Sequence, residues 1–330
     1  MIQRLRRRTL VVLAAVLFGL PSIPAFAATG LSVGPFIQEV DLKSGQQSAS
    51  FEITLGNNTP YTLPMLASVV DFGAADDHGG VDFLSSKDQL QHKYGLAAWM
   101  TPEKSSLTLQ PHSAQQIKVT IDNRNSLGPG GHYGAVIFQL DKSLLSKNQS
   151  QVGFIKAVST LVLVKKGDGG KADLTYSGMT WDGAPFALPS SVNVKLYNSG
   201  NIHTAPQGDV TLRNTFGQIV SIDQLNADST IVLPDSVRTY PVNVSNSPIQ
   251  WIPGWASVTA RYRVDANSPY STVTQRFFVI SPWSVGFLVV LAILIIICIN
   301  YRLEIRNFFR RIRGKPLLTP KEHDPKTLEK

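Results

Sequence analysis

From residue 28 to residue 280 the apolar positions recur with period two or in short runs, and Gly, Pro, Asn, Asp and Ser interrupt them about every ten residues. That pattern predicts strands over 49–55, 65–72, 106–109, 116–121, 134–140 and 154–164. A second group is predicted over 192–197, 209–214, 218–225, 230–233, 237–244, 256–264 and 273–279. Outside the two chain ends only 86–94 carries a hint of a short helix, on the connection after the second strand. Strands in two clusters predict two tandem immunoglobulin-like β-sandwich domains, an all-β fold, over 28–164 and 172–280. Between them Lys165-Lys166-Gly167-Asp168-Gly169-Gly170-Lys171 holds glycines and charges with no apolar side chain to bury, and reads as a flexible linker.

Two apolar runs stand apart from this pattern. Trp283 to Ile299 contains no charged residue, opens after Pro282 and closes on Asn300, Tyr301 and Arg302. A bilayer core needs roughly 20 apolar helical residues, so 282–301 is read as a C-terminal transmembrane helix with Trp283 and Tyr301 at its interfaces. The apolar stretch from Leu10 to Leu20 is shorter and follows Arg4, Arg6, Arg7 and Arg8. With Pro21, Pro24 and the small-x-small step Ala25-Phe26-Ala27 it reads as a signal peptide over 1–27, cleaved before Ala28. An uncleaved N-terminal anchor is the rival reading.

The formal net charge is +8 and the sequence pI about 9.5. Those charges sit at the ends. The tail 302–330 crowds Arg302, Arg306, Arg310, Arg311, Arg313 and Lys315 beside the apolar run, which places it in the cytoplasm and the sandwiches outside, a single-pass type I arrangement in the cell membrane. The span between the two ends is almost neutral, so basicity speaks for insertion and for contact of the helix and tail with membrane lipid, not for nucleic acid. The exported part faces either the extracellular wall space or a periplasm. The single cysteine, Cys298, lies in the apolar run, so the sandwiches hold no disulfide and depend on core burial.

The two halves share a strand grammar. SFEITLGNNTPYTL and SVNVKLYNSGNIHTAP are each an alternating strand that stops at Asn before a turn. LTLQPHSAQQIKVTI and IVLPDSVRTYPVNV each carry a Leu, a Pro and then an alternating strand. LGPGGHYGAVIFQL and WIPGWASVTARYRV each run from Pro-Gly into a strand. Pro fixes φ and Gly accepts a positive φ, which suits a chain reversal. Tyr133 falls where immunoglobulin-like domains place a structural tyrosine near the start of a late strand.

With Trp99, Pro102, LTLQPHSAQQIKVTI and GPGGHYGAVIF in that order, the first half resembles the N-terminal domain of the WxL-interacting surface proteins of Gram-positive bacteria. The whole chain is similar to them in order: signal peptide, two immunoglobulin-like domains, one membrane helix and a short basic tail. The resemblance implies attachment to wall glycan and to other surface proteins. The second half departs from that family's pattern and resembles a general bacterial immunoglobulin-like module.

No catalytic constellation emerges. His78, His92, His112, His132 and His203 are scattered without metal-ligand spacing, and His323 lies in the tail. There is no exported thiol, no phosphate-binding glycine loop and no Gly-x-Ser-x-Gly elbow. The densest acidic group, Asp71, Asp76, Asp77, His78 and Asp82, lacks the spacing of a calcium loop and is read as turn formers rather than a metal site. Trp99, Trp181, Trp251 and Trp255 are read as packing residues rather than a glycan platform. The tail 302–313 has the pattern of a short amphipathic helix, or of a plain stop-transfer flank.

The sequence therefore predicts a non-enzymatic, membrane-anchored surface protein, with no catalytic, cofactor or metal residues. Its sandwiches bind an envelope protein or a peptidoglycan-type polymer. The loops 73–83 and 142–151 are the natural contact segments. The alternative is an accessory subunit of a membrane-embedded pilus or export apparatus.

Overall fold

The computed structural model describes residues 30–314 and 316, apart from 44, 85–91, 125–126, 142, 144–156, 168, 184–185, 245–252 and 281. The proposed signal peptide, Trp251, most of the 86–94 segment and nearly all of the 142–151 loop lie outside the described residues.

Among the described residues seventeen strands form in chain order: β1 (Leu31–Gly34), β2 (Ile37–Leu42), β3 (Ser48–Asn57), β4 (Leu63–Ala74), β5 (Val81–Phe83), β6 (Met100–Pro102), β7 (Ser106–Leu109), β8 (Ser113–Asp122), β9 (Gly130–Leu140) and β10 (Ala157–Lys166), then β11 (Leu174–Asp182), β12 (Ser191–Asn198), β13 (Gln207–Arg213), β14 (Ile219–Leu225), β15 (Val237–Asn243), β16 (Gly254–Arg263) and β17 (Ser271–Val279). Two helices follow, α1 (Pro282–Asn300) and α2 (Arg302–Ile312). The chain divides into two compact units, Met1–Phe72 with Phe83–Asp168, and Gly73–Asp82 with Gly169–Lys330.

The first unit opposes the sheet β1-β3-β8-β6 to the sheet β2-β10-β9-β4-β5, on which β7 also pairs with β4. Alternation builds the core. Ile53 and Leu55 of β3 and Ile117, Val119 and Ile121 of β8 point inward and meet Met65, Val136, Phe138, Val162 and Val164 from the other sheet, all essentially inaccessible to solvent. β9 departs from alternation, because residues from Gly130 through Val136 are buried without interruption. The segment from Tyr94 to Met100, including a 3₁₀ turn at Ala97–Trp99, packs against the start of β9: Gly95 bridges Tyr133 in parallel, Tyr133 N donates to Tyr94 O at 2.7 Å, and Leu96 and Met100 join the core. The approach is close enough that a Cβ at Gly134 would stand 3.1 Å from Met100 Cε and 3.2 Å from Leu96 Cβ, which accounts for glycine there. The Tyr133 ring packs between Phe72 and Tyr94, at centroid distances of 5.9 and 6.2 Å.

In the second unit β11-β12-β15 faces β14-β13-β16-β17. Val192, Val194 and Leu196 of β12 are fully buried on one face, and oppose Val210, Leu212, Val258 and Ala260. Its neighbour order reproduces the first unit's, with β12 in the place of β3, β15 of β8, β13 of β4, β16 of β9 and β17 of β10.

Several expectations are corrected. The strand predicted at 230–233 is only an isolated bridge, in which Val232 and Thr204 exchange backbone hydrogen bonds and the Val232 carbonyl also accepts Asn198 Nδ2. Lys165 and Lys166 continue β10, and Lys166 Nζ donates to the carbonyl oxygens of Arg124 (2.8 Å) and Leu127. Farther along the glycine segment, Asn201 holds Lys171 N at 2.7 Å and Gly169 O at 3.0 Å. Strands β1, β2, β5, β6 and β11 were not predicted. They are short, charged along an edge, or interrupted by a bulge, as β11 is between Tyr176 and Gly178.

The chain from Trp283 to Asn300 is a helix long and apolar enough to cross a membrane, with only 6% of it buried. α2 follows directly, with Phe308, Phe309 and Ile312 exposed.

Candidate functional site

The structure scatters the acidic group that the sequence drew together. Asp71 is wholly buried in the first unit, where Oδ1 accepts Leu96 N and Ala97 N, each at 2.7 Å, and Oδ2 lies 3.0 Å from His92 Nδ1. It pins the segment that covers β9. Asp76 folds back on its own loop, accepting His78 N and Gly80 N at 2.9 Å each, and these backbone donors hold its carboxyl below the usual range. Asp77 serves the second unit. Its Oδ2 accepts Lys195 Nζ at 2.6 Å and Thr239 Oγ1 at 2.9 Å, and these two hydrogen bonds lower its pKa to about 2. Within the 73–83 segment, read from the sequence as a contact segment, Asp77 is engaged with β12 and β15, while Ala74, Ala75, Asp76 and His78 are exposed.

The histidines do not converge. His132 is buried with Nδ1 3.0 Å from Gly95 O and Nε2 2.8 Å from Gly128 O, a structural bridge between the covering segment and the turn before β9. His203 is buried in the second unit, whereas His112 and His78 are at the surface. Among the described residues no group of three or more His, Cys, Asp or Glu is placed to hold a metal.

Exposed aromatic residues gather instead where the second sandwich meets α1. Trp255 and Phe278 are cross-strand partners on β16 and β17, packed edge to face at 5.5 Å. Trp255 is 64% exposed, which corrects the expectation that it packs in a core. Trp99 and Trp181 are partly buried against the cores of their units, as expected of packing residues. Ile280 N, just past β17, donates to the carbonyl of the exposed Phe186 at 2.6 Å. Trp283 at the first turn of α1 is 70% exposed.

β17 also forms the boundary of its sheet, paired with β16 on one side only among the described residues. Beneath it the core is only partly closed. Phe277 stacks at 4.9 Å on Trp181, and Gln275 Nε2 donates to Tyr176 Oη at 2.7 Å, yet Tyr176, Trp181, Val273 and Phe277 are only partly buried. Burial, with the neighbouring Tyr262 adding to it, pushes the Tyr176 hydroxyl above its ordinary pKa. The strand itself was legible in the sequence; its place at the sheet edge was not, because alternation says nothing about neighbour order.

No family model matches the chain, and no curated protein does. Among solved structures it is similar to a chaperone–tip adhesin complex of CFA/I fimbriae, at 10% identity over 75% of this chain and 98% of that one, TM-score 0.41. It is similar to the class 5 fimbriae chaperone CfaA at 10% identity over 76% and 100%, TM-score 0.40. A third is the CsuC–CsuE chaperone–tip adhesion subunit complex of Acinetobacter baumannii, at 9% identity over 73% and 97%, TM-score 0.36.

Proposed function

We propose that the chain is a non-enzymatic accessory subunit of a membrane-bound apparatus, of the pilus or export kind, in which the exported sandwiches hold a protein partner close to the bilayer. The observation that carries this reading is the junction at 279–282. β17 ends at Val279 and α1 begins at Pro282. The three Cα steps across the two intervening residues span at most about 11 Å, so once α1 crosses the membrane the second sandwich stands at the bilayer surface with no stalk. The exposed Trp255, Phe278 and Trp283 suit the interfacial zone there. The basic residues after Asn300 orient α1 with its C-terminal end in the cytoplasm and the sandwiches outside.

A second reading rests on the LTLQPHSAQQIKVTI and GPGGHYGAVIF segments and their resemblance to WxL-interacting proteins: a cell-surface protein attached to wall polymer or to another surface protein. Lifting the sandwiches off the bilayer with a flexible stalk of about 20 residues inserted between Ile280 and Pro282 separates the two. Loss of the partner crosslinked in intact cells supports the membrane-proximal apparatus subunit, and full retention supports the surface-binding protein. No crosslinked partner with or without the stalk defeats both.

A further inference from the structure

The two units differ at one corresponding place. In the first, β10 is not the last strand of its sheet: β2 lies beside it in parallel, from Leu161↔Ile37 to Lys166↔Leu42. Val40 and the fully buried Leu42 of that strand turn inward to the core, while Glu39 and Asp41 face out. In the second unit β17 holds the place of β10, and no strand lies beside it among the described residues. The side chains that an inward-facing row would cover, Tyr176, Trp181, Val273 and Phe277, are only partly buried. An edge nine residues long, unpaired among the described residues, presents alternate N–H and C=O groups to any extended chain of matching pattern.

We infer that the β17 edge is a strand-addition site for an extended segment of a partner protein, running parallel to β17 as β2 runs along β10. The proposal rests on the partner-holding reading above and gives that partner's recognition element. The starts of β9 and β16, both glycines after proline, align Lys166 with Val279, so the register of β2 transfers directly. Opposite Phe277 the guest carries an apolar residue, as Val40 stands opposite Val164. Opposite Arg276, which is exposed, it carries an acidic residue, as Glu39 stands opposite Leu163 and 3.9 Å from Lys165 Nζ. Because β17 leads into α1, a parallel guest also runs toward the membrane.

The test uses the full chain in its native membrane, with a photocrosslinking residue in place of Thr272, Thr274 or Phe278 in turn, and at Ile222 on the opposite edge strand β14 as control. Strand addition predicts adducts from the three β17 positions, at least tenfold above Ile222, with one partner segment. Its crosslinked residue moves toward that segment's C-terminus as the probe moves from 272 to 278, and Arg276→Glu lowers the yield several-fold. A synthetic peptide carrying Ile37–Leu42 in excess competes. Adducts to this chain's own residues, a reversed direction of movement, or yields equal to those at Ile222 would overturn the inference. Adducts to a partner from Ile222 alone would leave partner holding intact and refute this site, whereas none from any position would refute both.

Discussion

Asn57 and Asn198 perform the same task in the two sandwiches. Each is fully buried at the last position of an inward-alternating strand. Asn57 Oδ1 accepts Thr59 N at 2.9 Å, and its Nδ2 donates to Tyr61 O at 2.7 Å and to Gln110 O at 2.9 Å. Asn198 Oδ1 accepts Gly200 N at 3.0 Å, and its Nδ2 donates to Ile202 O at 2.8 Å and to Val232 O at 3.2 Å. Both thus close a turn on residues two and four ahead and tie it to the chain before a later proline. The residue after that proline, His112 or Asp235, has a left-handed φ of 51° or 54°. Removing either side chain strands several buried backbone groups, each costing about 1–3 kcal/mol. Asn57→Ala and Asn198→Ala are each expected to destabilise their own unit by about 3 kcal/mol, and hydrogen exchange should show the loss confined to the unit mutated.

That duplicated asparagine was legible in the sequence, because a strand halting at Asn is written in both SFEITLGNN and SVNVKLYNS. Strands whose inner face is a clean apolar row, such as Val192-Val194-Leu196, were legible for the same reason. β2 was not: Gln38, Glu39 and Asp41 dilute its pattern, and only its place beside β10 makes Val40 and Leu42 core residues. The candidate edge at β17 was half legible. Its alternation marks a strand, but an edge is a property of the neighbour that is missing, which no local pattern records.

Asp71 stands within an otherwise apolar strand end, and its two backbone hydrogen bonds to Leu96 and Ala97 hold the segment that seals β9. Hydrogen bonds from N–H to an ionised carboxylate contribute about 1.5–3 kcal/mol. Asp71→Asn keeps one oxygen for both N–H groups but loses the charge and replaces the Oδ2 that faces His92 Nδ1 by an amide nitrogen. It should cost about 2 kcal/mol and raise amide exchange first at Leu96 and Ala97, measured at a pH where the fold remains intact.

Asp77 is held at a pKa of about 2 by its hydrogen bonds to Lys195 and Thr239. Since an unfolded aspartate titrates near 3.9, the folded carboxylate binds its proton later than the unfolded one. The stabilisation is therefore complete above about pH 4 and is lost as pH falls toward 2. Acid release of the Gly73–Asp82 segment, followed by proteolysis, should occupy that window and vanish in Asp77→Asn, in which the segment is already loosened at neutral pH.

Tyr240 is 2% exposed, its hydroxyl has no hydrogen-bond partner among the described residues, and burial pushes its pKa well above the ordinary value. An unpaired buried hydroxyl costs about 1–3 kcal/mol, while the ring contributes through packing. Tyr240→Phe keeps the ring and should leave the second unit unchanged or more stable by about 1 kcal/mol, whereas Tyr240→Ala should destabilise it by about 3–5 kcal/mol through the cavity left behind. Denaturant titration of both variants reads the difference, and a clear loss in Tyr240→Phe would show that the hydroxyl is satisfied.

Trp255 and Phe278 form an exposed aromatic pair at the end of the second sandwich from which the chain enters α1 after Ile280 and Ser281. An aromatic ring at the headgroup level of a bilayer is partly dehydrated while its N–H stays wet, the environment that enriches tryptophan at interfaces. If the short junction sets the sandwich on the bilayer, Trp255 is within reach of lipid as well as Trp283. In vesicles containing lipids brominated near the headgroup, the full chain should show tryptophan quenching that falls measurably in Trp255→Phe and falls further when Trp283→Phe is added. Quenching wholly retained in Trp255→Phe would place the sandwich clear of the surface and remove the main support for a membrane-proximal partner.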